Sequence, residues 1–240
     1  ANHEMIRALA ARGVTGITLD GIPRISRAQQ MDALTSMSTC AGYKGILLAA
    51  NALPRFMPMI ASAVGMIKPV QTLVVGIGVA GLQALATAKR LGAVCYAADI
   101  RPAAREQAQS LGAKIVEVGV PDAEAVGDGG YALALTPERV DQERRALAGP
   151  LREMDIVFLS ALVPGKKAPV LITEEMVRTM KPGSVIVDIS IDQGGNCAVT
   201  PPGKTETRHQ VTCIGIKNIP GLLPVSSTWA RFVHFSRPVR

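Results

Sequence analysis

Aromatic residues are scarce: three tyrosines, four phenylalanines and one tryptophan make up 3% of the 240 residues. The net charge is +7, but the basic residues are scattered, with Arg231, Arg237 and Arg240 near the end. Without a basic stripe interleaved with aromatics, nucleic-acid reading is not expected. Histidine is rarer still: His3, His209 and His234 share no ligand spacing with one another or with a cysteine, so a zinc site is not expected either. The four cysteines (Cys40, Cys95, Cys197, Cys213) lie far apart and form no C-x-x-C pair, which fits buried, reduced thiols. No apolar run approaches the roughly 20 residues needed to cross a bilayer, and the opening residues resemble neither a signal nor a transit peptide. A soluble piece is expected, without internal repeats or low-complexity tracts.

What remains is small and aliphatic. The chain is 48% hydrophobic and rich in Ala, Gly, Val and Leu, a composition suited to helices packed closely on a parallel sheet. The pattern predicts a helix over 2–12 ending at Gly13, then a strand from Val14 to Leu19. Ser26, with Gln29 three residues on, has the form of a capping box opening a long helix from Arg27 to about Asn51. A short apolar helix is expected from Met57 to Val64, and Lys68-Pro69 marks a boundary. Six strands then alternate with helices: Leu73–Val75, Ala93–Ala98, Lys114–Val118, Asp155–Ser160, Ser184–Ile189 and Val211–Ile214. No tight hairpin joins them in this reading. The expected fold class is therefore α/β, a Rossmann-type doubly wound parallel sheet, with a remnant of a second α/β domain in front. The connection from Gly119 to Pro137 is too long for a plain loop and reads as a lid.

The chemistry centres on Gly76-Ile77-Gly78-Val79-Ala80-Gly81, entered by a buried strand and left by a helix rich in alanine. Gly76 permits the tight turn, Gly78 lets backbone approach a pyrophosphate, and Gly81 lets helix and strand pack closely. Val79 opens the helix whose N-terminus faces the phosphates. The next strand ends at Asp99, 23 residues after Gly76. A carboxylate there accepts from adenosine hydroxyls and disfavours a 2′-phosphate, pointing to NAD(H). Arg101, beyond Ile100, complicates this: its guanidinium could tolerate a phosphate, pair with a neighbouring carboxylate or stack on adenine.

Two further loops follow strand ends, Ser160 to Gly165 (with Ala161 and Leu162) and Asp188 to Asn196. Both are placed to border the nicotinamide half of a dinucleotide, or simply to connect. Outside this unit lie Arg24, Gln29, Asp32 and Thr35. The last three are spaced by three and would share one helix face. Spacing alone favours a capped helix start with a solvated polar edge.

The segment from Pro23 to Asp32, followed by Ala41-Gly42-Tyr43, strongly resembles the NAD(H)-binding component of proton-translocating nicotinamide nucleotide transhydrogenase, of the alanine dehydrogenase/transhydrogenase superfamily. The match continues through Val75 to Gln83, Asp99-Ile100-Arg101, Gly129-Gly130-Tyr131, Ala161 to Gly165, Leu171 to Met176, Met180 to Asp188 and Gly194 to Cys197. Together these span roughly residues 5 to 220. Alanine dehydrogenase is similar in its sheet motifs, while Pro23 to Gln29 favours transhydrogenase.

The resemblance implies direct hydride transfer from NADH to NADP⁺ held on a partner component, coupled to proton translocation. It also implies a homodimer, cytoplasmic and peripheral to the inner membrane through membrane-spanning partner subunits. Arg24 and Gln29 would contact the nicotinamide region, with Asp32 and Thr35 in the same network; Thr35 stands where serine is usual. Gly130 and Tyr131 would belong to a mobile loop closing over bound nucleotide. Residues 1–26 would end a second α/β domain, 27–67 would link, 68–220 would form the NAD-binding domain, and 221–240 would be a truncated C-terminal segment. The sequence departs from the pattern at Ala132 to Leu135, at Lys167 and after Gly221. An alanine-dehydrogenase-like enzyme and a non-catalytic NAD-binding module are the alternatives.

Overall fold

The computed structural model describes residues 3–16, 32–63, 65–125, 132–163 and 165–228. Helix α1 (His3–Ala11) stops before Gly13, whose φ of +65° suits glycine. Residues 14–16 form no strand, and the rest of the strand expected there lies outside the described residues, as do Ser26 and Gln29. Helix α2 (Ala33–Ala52) is capped by Asp32, whose ψ of 81° is not helical. One continuous helix from Arg27 to Asn51 is thereby ruled out, and Asp32 and Thr35 are cap and first turn, not two points on one face. The Asp32 carboxylate accepts from the Thr35 backbone N–H at 2.9 Å and from its hydroxyl at 2.6 Å. Replacing Asp32 with alanine should cost about 1–2 kcal/mol in urea unfolding; an unchanged midpoint would show that this helix start is held by something else.

The apolar helix expected over 57–64 is instead a hairpin, β1 (Ile60–Ser62) paired antiparallel with β2 (Gly65–Ile67). Pro58 disfavours helix at Met57, and the backbone of Met57 is used elsewhere, its carbonyl accepting from Val70 N–H. Next come β3 (Gln71–Val75), α3 (Val79–Arg90), β4 (Val94–Ala98), α4 (Pro102–Ser110), β5 (Lys114–Ile115), α5 (Asp122–Ala125) and α6 (Pro137–Leu151). They are followed by β6 (Ile156–Leu159), α7 (Glu174–Arg178), β7 (Val185–Asp188), β8 (Thr205–Arg208) and β9 (Val211–Ile214).

Seven strands form one sheet in the order β5-β4-β3-β6-β7-β9-β8, parallel except at the β8 edge. All six expected strands are present. The β8–β9 hairpin corrects the expectation that no tight hairpin occurs. Its turn runs through His209 and Gln210, both at positive φ without a glycine to announce it.

Period-2 alternation along the strands feeds two cores. Val74, Ala97, Phe158 and Val187 pack with Ile46 and Ala49 of α2, Leu85 and Ala88 of α3, and Ala104 and Ala108 of α4. On the other face Leu73, Val75, Leu159 and Ile186 pack with Leu147 and Leu151 of α6 and Met176 and Val177 of α7. The four cysteines are buried and free.

The direction of α2 follows from its contacts. A Cβ on Gly42 would strike the Ala80 carbonyl at the start of α3. Beyond its other end, Arg55 donates to Asp155 at 2.6 Å, at the amino edge of β6. The helix therefore runs down from the carboxyl edge of the sheet, and Thr35, seven residues before Gly42, stands about 10 Å above the glycine turn.

Candidate functional site

The order of the parallel strands reverses between β3 and β6, and in such sheets ligands enter at the carboxyl ends beside that switch. Four segments meet there: the Gly76 turn, the end of β4, the chain after β6 and the chain after β7.

In the turn, packing requires two of the three glycines. Gly76 has a φ of +87°, and a Cβ on it would lie 2.5 Å from Ala161 N. Its N–H donates to the Ala98 carbonyl, and its own carbonyl accepts from the Ser160 hydroxyl at 2.7 Å. A Cβ on Gly81 would strike that same Gly76 carbonyl, so helix and strand are packed to contact. Gly78 is unlike both. Its φ of −87° suits any residue, and a Cβ would meet nothing within 4 Å. Nothing among the described residues requires a glycine there, so the open space beside it is the approach that a pyrophosphate needs. Gly78 also caps α3 without a side-chain bond, leaving the first-turn N–H groups from Val79 onward pointing outward. The turn fits a dinucleotide.

Asp99 follows β4 and is 6% exposed. One carboxylate oxygen accepts from Ile77 N–H at 2.7 Å and from Arg101 Nη2 at 2.9 Å. The other accepts from Arg101 N–H at 2.8 Å and Nε at 3.0 Å. Four donors match a carboxylate's capacity. Arg101 Nη2 also reaches the Ile77 carbonyl at 3.0 Å, tying the end of β4 to the glycine turn. Among the possibilities for Arg101, the structure realises the ion pair, with Asp99 itself as the partner. Ile100, between them, is buried.

The two remaining loops are fastened to each other. Asn196 is fully buried; its side-chain carbonyl accepts from Ala161 N–H at 2.9 Å, and its amide donates to the carbonyls of Ala161 and Pro169. Asp188, also fully buried, accepts from the N–H groups of Ser190, Asn196 and Cys197 at 3.0, 2.7 and 3.0 Å. Burial pushes the Asp188 pKa up to about 6, against those three bonds. These segments are therefore more than connections: Asp188 shapes the β7 loop, Asn196 clamps the β6 loop, and Ala161 backs onto Gly76. Leu162, next to Ala161, is exposed.

Gly76, Gly78, Val79, Gly81, Asp99, Ile100, Arg101, Ala161 and Leu162 are thus placed along one edge, with Asp32 and Thr35 above it. Arg24, Gln29, Gly130 and Tyr131 lie outside the described residues. Sequence reasoning reaches Asn196 through the paired glycines beside it, but not the clamp that its side chain makes. It passes over buried Glu143, an acidic residue in step with apolar Val140, Leu147 and Leu151.

Residues 45–233 match the model of the alanine dehydrogenase/PNT C-terminal domain. The chain belongs to that family. Over 222 residues it is 47% identical to the first of the pieces that make up the alpha subunit of NAD(P) transhydrogenase in Rhodospirillum rubrum, an alignment covering 91% of this chain and 57% of that protein. The crystal structure of a transhydrogenase from Sinorhizobium meliloti superposes with a TM-score of 0.84 at 40% identity, covering 97% of this chain and 63% of that one. An L-alanine dehydrogenase superposes with a TM-score of 0.71 at 25% identity, covering 96% and 59%. The chain spans a little over half the length of these relatives. Within the alanine dehydrogenase/PNT family, the Gly76 turn and the Asp99 end of β4 fall inside the matched domain, while Asp32 and Thr35 precede it.

Proposed function

We propose that this chain is the NAD(H)-binding component of a proton-translocating NAD(P)⁺ transhydrogenase of the Si-specific/Re-specific type. The observation that carries the cofactor is Gly78, a glycine that no described residue requires, at a helix N-terminus where a phosphate fits. The 47% identity to a transhydrogenase subunit favours that enzyme over an alanine dehydrogenase.

In this reading Gly76, Gly78, Val79 and Gly81 hold the pyrophosphate, and Asp99, Ile100 and Arg101 bind the adenosine end. Because all four acceptor sites of Asp99 are taken, Arg101 must release one to admit a ribose hydroxyl. Ala161 and Leu162 line the nicotinamide half. Arg24, Gln29, Asp32 and Thr35 position the dihydronicotinamide, and Gly130 and Tyr131 close over it to exclude water. Bound NADH supplies the hydride, which passes directly to NADP⁺ on the partner component. Such transfer needs the two rings in near-attack contact, with no general acid or base.

No helix among the described residues is long and apolar enough to cross a membrane. In this reading the proton path would belong to membrane-spanning partner subunits, to which this component would be peripheral on the cytoplasmic face. A homodimer is supported by the β1–β2 hairpin and the residues leading into it, where Phe56, Met59, Met66 and Ile67 are exposed together.

The test mixes the protein with an NADP(H)-binding component and follows hydride transfer from NADH to an NADP⁺ analogue. Transfer is expected, and Gln29→Asn should slow it by as much as about a hundredfold while NADH affinity stays nearly intact. An unchanged rate would remove the role given to Gln29. NADH formation from alanine, or its oxidation by pyruvate and ammonia, would replace the proposal with an amino-acid dehydrogenase. Tight NADH binding without turnover in either assay would leave a binding module.

A further inference from the structure

Two arginines attend the end of β4, and they hold it in different ways. Arg101 grips the Asp99 carboxylate, through Nε at 3.0 Å and Nη2 at 2.9 Å. Arg105, four residues on in α4, bypasses the carboxylate. Its Nη1 donates to the backbone carbonyls of Asp99 at 3.2 Å and Ile100 at 2.9 Å. Its Nη2 donates to the Asp122 carboxylate, at the start of α5, at 3.0 Å.

The place of Arg105 calls for a reason. A cation near the start of a helix opposes the helix dipole. An ion pair to a carboxylate as exposed as that of Asp122, at 64%, contributes little by itself. The carbonyl bonds supply the reason. Ala98 is the last residue of β4, and its carbonyl still accepts from Gly76 N–H. Beyond it the chain leaves the sheet, and the next two carbonyls accept from the Arg105 guanidinium instead. Bonds from a charged donor are stronger than neutral ones. Two from one nitrogen fix the peptide planes on both sides of buried Ile100. Those planes set where the Asp99 side chain and the Arg101 N–H point, and that N–H donates to the Asp99 carboxylate at 2.8 Å.

In the dinucleotide reading Arg101 must give up a bond to Asp99 before a ribose hydroxyl can enter. The grip of Arg101 is thus the part that changes on binding, while the grip of Arg105 leaves the carboxylate untouched. We infer that Arg105 is a positioning residue of the adenosine end: it holds the backbone of Asp99 and Ile100, so that the carboxylate keeps its aim while Arg101 yields to the ribose. This rests on the dinucleotide reading above.

The test compares NADH with its analogue lacking the adenosine 2′-hydroxyl, by titration of the 240-residue chain. Wild-type protein should bind NADH about tenfold more tightly than the analogue, because Asp99 accepts from that hydroxyl. Arg105→Met should weaken NADH about tenfold and leave the analogue nearly unchanged, so that the difference between the ligands disappears. Arg105→Gln, too short to reach the carbonyls, should do the same; thermal melts of both variants report folding. A merely structural role would lower both affinities together. Equal losses for the two ligands, or no loss, in folded variants overturn the inference and leave the cofactor reading standing. Equal binding of the two ligands by wild-type protein takes the ribose from Asp99 and the inference with it. Failure of wild-type protein to bind NADH at all overturns both.

Discussion

Asp188→Ala should lower stability by about 3–6 kcal/mol in urea unfolding, the largest single effect expected in this chain. The Asp188 side chain is the acceptor for the N–H groups of Ser190, Asn196 and Cys197, all buried residues. Alanine would strand three donors, each costing about 1–3 kcal/mol once desolvated, and leave a void where the carboxylate stood. Part of that loss is offset, because burying the carboxylate itself is unfavourable, as its raised pKa records. Against a typical total of about 5–15 kcal/mol, the net loss is large. Asp188→Asn keeps one acceptor oxygen and should fall between the two. The damage would not stay local: Asp188 holds Asn196, Asn196 holds Ala161, and Ala161 backs the Gly76 turn, so NADH affinity should fall with stability. A loss below about 1 kcal/mol would show that the loop finds other acceptors, contradicting the role given to this carboxylate.

Gly78→Val should have the opposite profile, with NADH affinity falling by about a hundredfold or more while stability changes by no more than about 1 kcal/mol. Valine accepts the backbone conformation of Gly78, and its Cβ would meet no atom of the described residues. Loss of glycine's freedom in the unfolded chain even favours the variant slightly. The branched side chain would instead occupy the space a pyrophosphate needs, displacing charge-assisted bonds worth about 1.5–3 kcal/mol each. Gly81→Val is the contrasting control, since its Cβ strikes the Gly76 carbonyl and must destabilise the fold first. Fluorescence titration with NADH beside thermal melts of the two variants separates them. Normal NADH affinity in a folded Gly78→Val protein would remove the turn from the binding site.

The same contrast describes how much is legible without coordinates. The β3–turn–α3 unit, all six parallel strands and Asp99 at the end of β4 can be placed from spacing, because strand period, helix period and glycine requirements are local properties. Thr173 is likewise recognisable as an N-cap, and its hydroxyl does accept from Met176 N–H. The hairpin β1–β2 is not, because Met57 to Ser62 is apolar enough for a helix and pairing decides the matter. The β8 strand escapes notice for a related reason. Thr205 to Arg208 is a polar edge segment bonded on one side only, and a non-glycine turn joins it to β9.

By itself, then, the sequence determined a doubly wound sheet, a glycine-rich turn between strand and helix, and the acidic residue that follows the second strand of that unit. The tertiary structure alone decided which of three glycines the fold could spare, because that depends on neighbours distant in the chain: Ala161 crowds Gly76, while no described residue crowds Gly78. It alone showed Arg101 folded back onto Asp99. Charge balance in a buried site is a sum over elements that the chain brings together only on folding, and no local pattern records it.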